Sequence, residues 1–144
     1  MKQSFIPLFV FLLAFLLACN NQNPSAAEQQ NPPKIKAMGC DNLDGRQYTI
    51  TLTTGGKSEG SEILSFKNKT VESSECLQYG FAASTYTCNA ALDGSLAIES
   101  VMTSEKEGRM DWKISATASQ VRGTVLWAKA GQSDIAYTFE GPAK

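Results

Sequence analysis

Histidine is absent from all 144 residues. That removes the commonest general base near neutral pH, the usual partner of a nucleophilic Ser or Cys, and the commonest metal ligand. Catalysis would have to rest on carboxylates, Lys or Tyr, and no motif sets an acid beside a base, so the chain is read as non-enzymatic. Blocks of like charge are absent too. The 13 Lys and Arg stand against 14 Asp and Glu, which leaves neither a nucleic-acid footprint nor a basic membrane-binding face.

The motifs that hint at chemistry dissolve on inspection. Thr54-Gly55-Gly56-Lys57-Ser58 ends like a phosphate-binding loop. Thr51 stands where the first Gly is needed and no helical pattern follows, so it reads as a strand connection. Asn68-Lys69-Thr70 fits the glycosylation triplet and reads more simply as a hairpin turn. Glu72 with Glu75, and Glu105 with Glu107, read as solvated charge rather than paired catalytic carboxylates. Three scattered thiols without His make no zinc site. No metal or cofactor is expected.

A long apolar run occurs only at the start. Lys2 is followed by Phe5 to Phe15, which is apolar throughout but too short to span a bilayer, as in a cleaved secretory leader. The run ends in Leu16-Leu17-Ala18-Cys19, which resembles the bacterial lipobox. The resemblance implies cleavage before Cys19 and lipidation of its thiol and new amine. Two or three acyl chains, at about 0.8 kcal/mol per buried methylene, give an essentially permanent anchor. Cleavage also removes Lys2, leaving 12 basic residues against 14 acidic ones. Asn20 follows in place of the Asp that resembles an inner-membrane retention mark, which points to the outer membrane with the domain facing the periplasm.

Asn20 to Pro33 reads NNQNPSAAEQQNPP. It has too little apolar bulk to offset ordering and is expected to be a flexible leash. The expected organisation is a leader over 1–18, a lipidated Cys and tether over 19–37, and one folded domain over 38–144.

That domain is rich in Thr, Val, Ile, Tyr, Phe and Trp, and it alternates with period two, the pattern of half-buried strands. Tyr48, Ile50 and Leu52 alternate with threonines, and Met110, Trp112, Ile114 and Ala116 with polar residues. Eight strands are expected, at 46–54, 61–66, 70–76, 84–91, 95–104, 109–118, 123–129 and 134–141. Hairpin-sized turns separate them, among them Gln120-Val121-Arg122-Gly123. No connection is long enough for a crossover helix, so each strand pairs with the next. An all-β, antiparallel up-and-down barrel or strongly curled meander follows, its polar outer face turned to water rather than lipid.

By the same alternation Tyr48, Phe66, Tyr86, Trp112, Trp127, Tyr137 and Phe139 face inward. They are either a packed core or the walls of a site for a small apolar or amphipathic ligand. Tyr79 and Phe81 flank Gly80 between two strands and are candidates for a rim or lid. With Cys19 taken by lipid, Cys40, Cys76 and Cys88 remain. Placement favours Cys40–Cys88, pinning the segment before the first strand to the barrel, and Cys76–Cys88 is the alternative.

Leu43-Asp44-Gly45-Arg46-Gln47-Tyr48, Ser74 to Phe81, and Gly123-Thr124 with Trp127 to Gly131 resemble a group of uncharacterised small bacterial secreted proteins and lipoproteins. In architecture these are similar to lipocalin-like or avidin-like meander barrels. The resemblance implies a fold and a cellular address, and carries no activity with it. Two functions stay open: a binding module for a small ligand, and a protein-interaction or inhibitor-type periplasmic barrel that uses its loops.

Overall fold

Every second residue is buried along most strands of the chain, and the fold follows from that parity. The computed structural model describes residues 37–144. The leader, Cys19 and the tether up to residue 36 lie outside the described residues. In one strand Leu96, Ile98, Ser100 and Met102 are buried while Ala97, Glu99, Val101 and Thr103 are exposed. Such a strand must be wrapped so that one face is wholly covered.

The elements are β1 (Gln47–Thr54), β2 (Lys57–Lys67), β3 (Thr70–Ser73), α1 (Ser74–Gln78), β4 (Ser84–Ala90), β5 (Leu96–Ser104), β6 (Gly108–Ala116), β7 (Gln120–Ala128) and β8 (Ile135–Pro142). Each strand pairs antiparallel with its successor. β8 returns to β1 through Thr51–Glu140, Leu52–Phe139 and Thr53–Thr138, which closes an eight-stranded up-and-down barrel. Closure removes the exposed edges that an open meander would leave. The β1–β2 turn uses Gly55 and Gly56 at φ 53° and 78°, the paired left-handed geometry that a two-residue hairpin demands.

Three strand boundaries differ from expectation by more than two residues, each for a local reason. β2 starts at Lys57 rather than 61, because the two glycines make so tight a turn that pairing begins at once. The strand expected over 70–76 stops at Ser73. The Ser73 hydroxyl accepts from the Cys76 backbone N–H and so caps α1, with Glu75 in the first turn. The turn expected at 120–123 lies at Thr117 to Ser119 instead, held by the Thr117 hydroxyl. Residues 120–123 are already strand, paired with Pro142 to Phe139. Gly123 marks a close approach rather than a turn: a Cβ there would run into the Lys113 carbonyl and lie 2.7 Å from Phe139 Cζ.

The core fills the barrel with Tyr48, Ile50, Leu64, Phe66, Val71, Leu96, Ile98, Met102, Trp112, Ile114, Val121, Val125 and Phe139, joined by Leu43, Cys76 and Phe81 from outside the strands. Each large side chain so buried contributes about 1.5–3 kcal/mol.

Candidate functional site

The two ends of the barrel are built differently. At one end lie the turns after β2, β4 and β6 and the segment that leads into β1. Leu43 is fully buried there and Met38 nearly so. Gly45 N–H donates to the Phe66 carbonyl at 2.8 Å, and the Tyr48 hydroxyl donates to the Thr117 carbonyl at 2.8 Å. Cys40 is disulfide-bonded to Cys88, which ties a short 3-10 turn (Cys40–Asn42) to β4. Tyr48 meets Phe66 edge-on at 6.1 Å, and Phe66 meets Tyr86 edge-on at 5.5 Å. Burial raises the Tyr86 hydroxyl pKa, and the charges of Asp44 and Asp41 push the same way. This end is plugged, and the chain enters the barrel here.

At the other end lie the β1–β2 turn, α1 and its loop, and the turns after β5 and β7. The inward positions Leu52, Met110, Trp127, Ile135 and Tyr137 are all only half-buried. Trp127 is fixed by its indole N–H, which donates to the Glu107 carbonyl at 2.6 Å. Lys129 pairs with the Glu107 carboxylate at 2.6 Å and stands 6.0 Å from the Trp127 ring, within reach of its electron-rich face. The Tyr137 hydroxyl pKa is raised by burial and then by the nearby charges of Glu59 and Cys76.

Beneath these half-buried side chains, at the mouth of the barrel, lies a polar cluster. Glu62 sits on the inward face of β2 with Leu64 and Phe66, 5% exposed. Its Oε2 accepts from the Ser73 hydroxyl, and from the Glu75 backbone N–H at 3.3 Å. Its Oε1 is buried with no hydrogen-bond partner. Burial raises the Glu62 pKa, opposed by the Ser73 and Glu75 hydrogen bonds and reinforced by the Glu75 charge. Cys76, buried beside it, donates its thiol to Met110 Sδ at 3.5 Å. Burial pushes that thiol up to about 11. It is therefore protonated and a poor nucleophile. On the opposite wall, Trp112 of β6 is 1% exposed, and its indole N–H has no partner either. Two buried groups of opposite hydrogen-bonding sense, an acceptor and a donor, thus stand unpaired inside one barrel.

The aromatics singled out by alternation fall into three groups rather than one wall. Tyr48, Phe66 and Tyr86 stack at the plugged end. Trp112 packs on Phe139 at 5.4 Å in the middle, and Trp127 and Tyr137 border the mouth. Of the loop pair, Phe81 is core at 2% exposure and Tyr79 projects outward at 60%. Glu62 was passed over because it is charged, although it shares parity with Leu64 and Phe66. Met110 and Cys76 were visible in the sequence but not as one cluster. Ser73 lay inside a segment read as strand.

Glu62 offers a lone pair, Trp112 a proton donor, and the mouth an apolar rim. Among the described residues no three His, Cys, Asp or Glu side chains converge as metal ligands, and no helix is long and apolar enough to cross a membrane. No protein-family model, curated protein or solved structure matches the chain.

Proposed function

We propose that the chain is a lipoprotein anchored through Cys19 to the periplasmic face of a bacterial outer membrane. Its barrel is a non-catalytic module that binds one small apolar or amphipathic ligand. The observation that carries the binding reading is the asymmetry of the two ends. Leu43, Met38 and a disulfide plug the end where the chain enters. At the far end a half-buried ring of Leu52, Met110, Trp127, Ile135 and Tyr137 stands above two unpaired buried polar atoms. A barrel that only had to be stable would gain by filling and satisfying both ends, since an unmet buried polar group costs about 1–3 kcal/mol.

The test uses the chain from residue 19 onward with Cys19→Ser, titrated with the neutral fluorophore N-phenyl-1-naphthylamine. The expected result is saturable binding at one site, weakened at least tenfold by Trp127→Ala. No enhancement at any concentration would overturn the reading.

A second reading, a protein-interaction module, is favoured by one observation. Leu77 and Tyr79 of the α1 segment are exposed at 46% and 60%, an apolar pair beside the same mouth. In-cell crosslinking from position 79 tests it. A single periplasmic protein captured by the wild-type chain, and lost with Leu77→Ser, would support it.

A further inference from the structure

The most informative single atom in the barrel is Glu62 Oε1. Its sister oxygen is fully engaged by Ser73 and Glu75. Oε1 is enclosed by protein and accepts from nothing. A carboxylate in such a place is costly unless a cation or a strong donor reaches it.

No such partner is supplied by the described chain. Its two ion pairs, Arg109–Asp111 and Lys129–Glu107, leave Glu62 out. The charge that acts on Glu62 is that of Glu75, which adds to its own rather than offsetting it. Toward the mouth, Leu52 is the next inward residue after Ile50, the β1 partner of Glu62, and Cys76 stands between Glu62 and Met110; Tyr137 there also feels the charges of Glu59 and Cys76. Aromatic faces attract organic cations, and Trp127 and Tyr137 border the same mouth.

We infer that the barrel mouth selects amphiphiles carrying an organic ammonium group, with the cation seated against Glu62 Oε1 and the alkyl portion against Leu52, Met110, Trp127 and Tyr137. The inference rests on the binding reading above and adds the ligand's chemical class to it. An anionic amphiphile would set like charge against Glu62. A neutral alcohol would donate to Oε1 but offer no charge to stabilise the ionised carboxylate that burial disfavours. Primary ammonium gains twice, through a charge-assisted hydrogen bond and through the ring faces.

The experiment compares three probes of one chain length, n-octylammonium, n-octanol and n-octanoate, on the chain from residue 19 with Cys19→Ser, by calorimetry at pH 7. The expected order is octylammonium tightest by about tenfold over octanol, with octanoate weakest; one charge-assisted hydrogen bond accounts for a factor of that size. Glu62→Gln, which keeps the shape and the acceptor for Ser73, is expected to bring octylammonium level with octanol. The wild-type comparison decides the matter even if that variant does not fold. Equal binding of all three probes would overturn the Glu62 assignment and leave the binding reading standing. Failure of all three to bind would overturn both.

Discussion

Cys40 and Cys88 are joined with their Cα atoms 5.9 Å apart, although 48 positions separate them in sequence. The bond anchors the lead-in segment to β4, and β4 needs it. On its β3 side β4 keeps only the pairs Thr70–Thr85 and Val71–Ser84, because β4 begins at Ser84 opposite Val71 and then runs past the start of β3 at Thr70. This is the thinnest seam of the barrel. A loop of that length contributes about 4 kcal/mol by chain entropy. Cys88→Ser is expected to lower unfolding free energy by about 2–4 kcal/mol. A urea midpoint that does not move, for variant against oxidised wild type, would contradict this.

Cys76 is the free thiol of the domain, buried and pushed up to about 11. Iodoacetamide at pH 8 is expected to leave it unmodified in the native protein and to alkylate it once urea unfolds the barrel. Rapid labelling under native conditions, read by intact mass, would show that the thiol is exposed and activated.

Glu62 sets the pH dependence. Its folded pKa is raised above the ordinary 4.5 by burial. The folded state therefore binds the Glu62 proton more tightly than the unfolded chain does. That contribution is fully present below pH 4.5 and is lost as pH rises through the raised value. Glu62→Gln is expected to melt several degrees above wild type at pH 7, and the gap should close as pH falls toward 4. A variant less stable than wild type at pH 7 would mean that the charged carboxylate, not its desolvation, dominates.

Gly141 lies at the seam where β8 meets β1, and a Cβ there would collide with the Thr49 carbonyl and lie 2.8 Å from Ile50 Cα. The obstacle is backbone and cannot swing aside. Gly141→Ala is expected to cost about 1–3 kcal/mol by overpacking, measured by denaturant unfolding. A neutral result would show that the seam is looser than the pairing of Leu52 with Phe139 indicates.

Barrel and disulfide were legible because each rests on a pattern that survives in one dimension. Alternation along β5 and β6 names the buried face residue by residue, and short turns force neighbours to pair. The polar cluster was not legible, for two physical reasons. A charged residue at an inward position reads as solvated until the closed sheet shows that water cannot reach it, as with Glu62. A Ser that caps a helix and a Ser that continues a strand are the same letter, so α1 was hidden in the strand expected over 70–76. Gly123 follows the same logic, since a glycine demanded by Phe139 on the neighbouring strand looks locally like a turn.

The most direct measurement is native mass spectrometry of the protein extracted gently from its own cells. The account predicts one bound small molecule per chain, beyond the acyl groups proposed for Cys19, released on mild activation and missing from Trp127→Ala. A bare barrel that also takes up no octylammonium on addition would contradict it.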